Sequence, residues 1–188
     1  MISHIEYHQF KKEFHHLNRT QQLLQEVDNW QVVRESSTIT IESKSLNTEF
    51  LVRAKVVINK PAFYVIGVLS EIDLLTTWIE PLETAELLAE PSLFRKFTRY
   101  VLKFPWPLSN RESYFSFSGV PLHEQNAALI IMYSVEQDHY LHHKVPPPPS
   151  QLVRMMVPVG GLYVQFVDSN TTEVSFVVET NPYIVSFT

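Results

Sequence analysis

The stretch Phe104-Pro105-Trp106-Pro107-Leu108-Ser109-Asn110-Arg111-Glu112 decides how this chain is read. Two prolines flank a tryptophan, so neither a helix nor a central strand can continue through it. The segment is therefore a corner between two strands, with Trp106 packed into it. Asn110, Arg111 and Glu112 form the entry turn of the second strand, where Arg111 has a structural hydrogen-bonding role. The strand before the corner, about 94–104, places Thr98, Tyr100 and Leu102 on one face and Arg95, Arg99 and Lys103 on the other. The strand after it, about 111–119, places Ser113, Phe115 and Phe117 on one face. Each strand thus has one face suited to an apolar interior.

Further strands are read at about 127–135, 151–157, 161–167 and 172–180, with Gly160-Gly161 as a hairpin turn. Pro146 to Pro149 read as a stiff extended loop. Upstream, Trp30-Gln31-Val32-Val33-Arg34, Ser37 to Ser43 and Thr48 to Ile58 read as consecutive antiparallel strands. Between the two groups Pro61 opens a helix carrying Phe63, Ile66, Leu69 and Leu74 toward Trp78. The segment Leu82 to Leu88 is ambiguous. An N-terminal helix over about 5–27 carries a stripe of Phe10, Phe14, Leu17, Leu24 and Val27. About nine strands of mostly antiparallel character must curl to bury an inner face, and amphipathic helices must cover the open side. The reading is an α+β fold, one domain over residues 1–188, with the strand-rich part from about residue 30.

Composition agrees with a globular chain: 188 residues, 45% hydrophobic and 19% charged. A formal charge of −5 gives no basic field for nucleic acid, so none is expected as a partner. The absence of cysteine removes disulfides, thiolate metal sites and a cysteine nucleophile. The N-terminus has no apolar signal core, and no apolar run reaches the roughly 18–20 residues that span a bilayer. A cytoplasmic protein is the expectation.

The 104–112 stretch resembles the PWP-x-SNR-D/E signature of START domains, the steroidogenic-acute-regulatory-related lipid-transfer family. Trp30, Trp78, Val153-Arg154-Met155 and Asn181-Pro182 also stand where that family would place landmarks. The resemblance implies a helix-grip fold: a curved antiparallel sheet around a long C-terminal helix, enclosing a hydrophobic cavity. It implies one bound lipid, no cofactor and no chemistry. After Asn181-Pro182 the family continues into its lid helix, whereas this chain stops at Thr188. The expectation is a fragment, or a cavity closed in another way. Family head-group sites carry over poorly. The buried acid and arginine of sterol-handling members align with Thr98 and Phe117. The charged pair of the phosphatidylcholine-handling member aligns with Leu75 and Ile79, and its aromatic cage with Tyr100, Ser113 and Pro158.

The lipid-lining set that follows is Trp78, Thr98, Tyr100, Leu102, Ser113, Phe115, Phe117, Arg154 and Met155. Arg154 is open between an ion pair and a polar anchor in the cavity, because a buried arginine demands a partner. Transient contact with a membrane surface is the other expected partnership. His139, His142 and His143 have a spacing that could ligate metal but read as a solvated loop, and His15-His16 as surface. No pairing of acids and no Ser-His-Asp order suggests catalysis. Two other classes stay open: a ligand-sensing module of a larger protein, and an enzyme of cyclase or hydrolase type on the same architecture.

Overall fold

The structure, a computed structural model, describes residues 4–46, 49–136 and 138–180. Helix α1 (His4–Gln25) precedes three strands, β1 (Gln31–Glu35), β2 (Ile39–Leu46) and β3 (Glu49–Ile58). Helix α2 (Ala62–Ser70) and a 3-10 turn (Ile72–Thr77) follow. Strands β4 (Leu82–Ser92), β5 (Arg95–Leu102), β6 (Asn110–Leu122) and β7 (Ala127–Ser134) come next. The chain ends in β8 (His139–Tyr140), β9 (His143–Lys144), β10 (Leu152–Arg154), β11 (Val159–Phe166) and β12 (Thr172–Thr180).

One open sheet runs β1-β2-β3-β12-β11-β7-β6-β5-β4, with β10 paired to β6, and β8 and β9 form a separate hairpin. All pairings along that path are antiparallel, and only β10 runs parallel to its neighbour. Strands β1 and β4 are the two edges and do not pair with each other, so the sheet is not a closed barrel. The two faces have different covers. Thr98, Tyr100, Phe115, Phe117, Ile130 and Met132 belong to the face that α2 and the 3-10 turn overlie. The opposite face carries α1.

The α1 contact corrects the expected stripe. Phe14 and Val27 are 65% and 83% exposed, while Glu13, His16, Thr20 and Leu23 are buried. Those four are spaced at helical intervals and form the docking face. The reason lies in the polar strand face beneath. Arg95 holds Glu13 with two bonds to Oε2 at 2.6 and 3.1 Å, and Thr20 Oγ1 donates to the Gly160 carbonyl at 3.3 Å. His16 is likewise not a surface residue but lies on Tyr133.

Gly160 and Gly161 are not a hairpin turn; they lie inside β11. A Cβ at Gly161 would stand 2.6 Å from the Ile130 carbonyl oxygen and 2.7 Å from Thr20 Cγ2. Glycine there lets α1 lie directly on the sheet. The ambiguous Leu82–Leu88 segment is part of an eleven-residue strand, fixed by pairing to β5 across three register shifts. Its Ala, Glu and Leu residues favour helix locally, and tertiary pairing overrides them. His139 and His143 sit in the small β8–β9 hairpin, with Leu141 at φ 51° between them. Strand 151–157 contracts to three residues. The Asn181-Pro182 landmark and the rest of 181–188, after which the family's lid helix was expected, lie outside the described residues.

The decisive corner ties itself together. Asn110 Oδ1 accepts from the Phe104 amide at 3.1 Å, and Arg111 donates to the Ser109 carbonyl at 2.6 Å while its guanidinium stacks 5.0 Å from the Phe104 ring. Trp106, expected to be packed, is 93% exposed. The loop closes through polar contacts at its base, which leaves its apolar tip in solvent.

Candidate functional site

Alternation makes the face beneath α2 almost wholly apolar. Val56 and Ile58 come from β3, Ile130 and Met132 from β7, and Leu162 and Phe176 from β11 and β12. Helix α2, Ala-Phe-Tyr-Val-Ile-Gly-Val-Leu-Ser, has no charged residue. It packs Val65, Ile66 and Leu69 toward Val164 and Val174. Helix and sheet do not close on each other over their whole width. Between them lies a cavity of about 1520 Å³, larger than the roughly 300–1,000 Å³ usual for small-molecule sites. Tyr64, Val68, Trp78, Leu93 and Phe94 line it and are all at least half exposed, so it opens to solvent between α2 and the β4–β5 hairpin.

Among the residues expected to line a lipid site, Trp78, Tyr100 and Phe117 do line this cavity. Trp78 ends the 3-10 turn. Tyr100 stands at the inner wall, its ring 5.4 Å from Phe115 and 6.0 Å from Phe117. Burial pushes its phenol up to about 12, so it stays a neutral hydroxyl at any ordinary pH.

Thr98, Leu102, Ser113, Phe115 and Met155 share that sheet face but lie behind the lining. Phe115 and Met155 pack with Val157, and Leu102 joins them on one side and Leu75 and Leu82 on the other. Ser113 Oγ lies 3.1 Å from Ser134 Oγ, which accepts the Val157 amide at 2.7 Å. Thr98 Oγ1 is fully buried beside the Tyr100 hydroxyl, without a hydrogen bond of good geometry.

Arg154 points the other way. Its Nη2 meets Glu112 Oε2 at 3.1 Å and the Pro146 carbonyl at 2.7 Å, and its guanidinium stands 4.7 Å over Tyr114. Glu112, 1% exposed, is also held by Arg99 Nε at 2.7 Å. A carboxylate so deeply buried needs these cations. Arg154 is thus the ion-pair partner and not a polar anchor in the cavity.

Sequence reading missed Lys60, Leu93 and Phe94, which the loop and hairpin bring to the mouth, and the walls from β3, β11 and β12. The alternation of 172–180 shows two faces, but only the position of α2 shows which one is concave. No group of three His, Asp or Glu side chains among the described residues is arranged to hold a metal. Among those residues no helix is long and apolar enough to cross a membrane.

Solved structures share this architecture along most of the chain. The structure of human StAR-related lipid transfer protein 5 superposes with a TM-score of 0.79, at 14% identity, over 95% of this chain and 83% of that one. This chain has the START helix-grip fold. Human STARD10 gives a TM-score of 0.74 at 18% identity, over 88% of this chain. The match spans 66% of the STARD10 chain, just under two thirds of its length. A STAR-related lipid transfer protein from Xanthomonas axonopodis gives 0.71 at 19% identity, over 82% and 83% of the two chains. At these identities the likeness establishes the START fold and not its cargo. No family model matches the sequence, and no curated protein does.

Proposed function

We propose that this START-fold chain binds one lipid non-covalently in the cavity between α2 and the sheet, and carries it between membranes. The observation that supports this most is the cavity itself: about 1520 Å³ of space walled by apolar side chains from seven strands or helices of the grip. Burying a long acyl chain there contributes on the order of 10 kcal/mol before the cost of association, at about 0.8 kcal/mol per methylene. Affinity then needs few polar contacts. Trp78, Tyr100 and Phe117 touch the cargo in this reading, and Thr98, Leu102, Ser113, Phe115 and Met155 form the packed layer that fixes them.

Binding rather than catalysis fits the lining. Among the described residues, no two titratable side chains of the cavity hydrogen-bond to each other, and general acid–base work needs convergent groups. Transient docking on a membrane fits the exposed apolar residues: Phe63 (81%), Leu93 (79%) and Trp106 (93%). The proposal places the protein in the cytoplasm, without cofactor or nucleic-acid partner. Fluorescent-lipid transfer between donor and acceptor vesicles tests it. The expected result is a transfer rate that rises with protein concentration; a rate equal to the protein-free control contradicts the carrier role.

A further inference from the structure

The charge on the cavity wall is one-sided. The chain as a whole carries 20 acidic and 15 basic residues, yet among the described residues no aspartate or glutamate lines the cavity. Lys60, Lys96 and His123 do. Lys96 is already neutralised by Glu90 at 2.8 Å. Lys60 makes no ion pair among the described residues.

Lys60 also has a fixed root. Its amide donates to the Ile58 carbonyl at 2.9 Å and its carbonyl accepts Thr172 Oγ1 at 2.8 Å, which locks the β3–α2 connection to the start of β12. The β6–β7 connection supplies His123 and Asn126, and the Asn126 carbonyl accepts the Phe166 amide at 2.9 Å. Asn170 comes from the β11–β12 turn. With Asn59 beside Lys60, three loops at one end of the sheet therefore gather a lysine, a histidine and three asparagines around an apolar chamber. Glu124 and Asp168 are nearby in sequence but outside the lining, and Asp168 Oδ1 is occupied by the Asn170 amide of its own turn at 2.7 Å.

We infer that the cargo is an amphiphile with an anionic head, carboxylate or phosphate, held at the Lys60 end while its apolar tail runs toward Tyr100. This rests on the lipid-binding reading and adds the sign of the head group. Lys60 is exposed at the mouth, where a purely apolar cargo offers it no partner. An anion returns a charge-assisted bond, whereas a cationic head meets no carboxylate on the wall.

The test is calorimetric titration of the delipidated full chain with oleate, methyl oleate and acetate. Oleate is expected to bind about fivefold more tightly than methyl oleate at low salt, the scale of one partly exposed ion pair, and the gap should narrow as salt rises. Lys60→Gln should bring oleate affinity down to that of methyl oleate, and Lys60→Arg should keep the preference. Acetate, the head without a tail, should show no binding. Equal affinity of wild type for the ester and the acid, a preference that survives Lys60→Gln, or saturable acetate binding would overturn the inference. Binding of neither oleate nor methyl oleate would sink the lipid reading as well, a different result from binding without charge preference.

Discussion

The His16 imidazole lies flat on the Tyr133 ring, centroids 4.0 Å apart and planes 9° from parallel. This stack is the centre of a polar seam that fastens α1 to the outer face of the sheet. Gln9 Nε2 donates to the Tyr133 hydroxyl, and Arg95 grips Glu13 one turn away. Lys12 sits 5.0 Å from the same ring.

The seam makes stability pH-dependent through His16. Burial, with Lys12 and His15 adding repulsion, lowers its pKa from 6.5 to about 4. A depressed folded-state value means the unfolded chain binds the proton more readily. The contribution is whole above pH 6.5, fades as pH falls toward 4, and is spent below that. Its span is at most about 3 kcal/mol. Denaturant titrations of wild type and His16→Phe between pH 7 and 4 should show a shallower loss in the variant; parallel curves would refute the role of His16.

Gly161→Ala should cost about 1–3 kcal/mol, because its Cβ meets the backbone oxygen of Ile130 at 2.6 Å and cannot push it aside. Gly160→Ala should cost less, since its one close contact is the movable Met132 Cε at 2.7 Å, while the Val177 carbonyl oxygen stands at 3.4 Å. Chemical denaturation of both variants checks the order.

Glu112→Gln should be strongly destabilising, by about 3 kcal/mol, because it leaves Arg99 and Arg154 without their shared carboxylate. Arg154→Met should destabilise as well but leave lipid affinity per folded molecule unchanged. A selective loss of lipid binding in Arg154→Met would return that residue to the cavity.

What the sequence discloses here is the periodicity of strands more than their destinations. The 172–180 strand is found at those limits, and the opposition of Tyr100 to Arg99 and of Phe117 to Glu112 is visible as alternation. The 104–112 stretch carries the fold, since its prolines and Asn110 dictate a self-tied corner. Where two distant segments meet, the sequence is silent. Phe10 and Phe14 make the more apolar stripe of α1, yet Glu13 and His16 are buried, because the partner surface is Arg95 and Tyr133. Gly160-Gly161 looks like a turn because its reason for being glycine, the close approach of Thr20 and Met132, lies in other elements. Lys60 enters the site for the same reason: its place depends on Thr172, 112 residues away.

Leu162→Trp, on the cavity wall opposite α2, should fill part of the chamber while the exposed mouth remains. The variant should be folded, by circular dichroism, and capture lipid at least tenfold more weakly. Unchanged capture would move the lipid elsewhere.

Native mass spectrometry of the protein purified from cells shows whether the cavity holds a lipid. The expected mass is that of one chain plus one lipid, released on denaturation and lost in Leu162→Trp. A bare chain mass that gains no lipid after incubation with vesicles would contradict it.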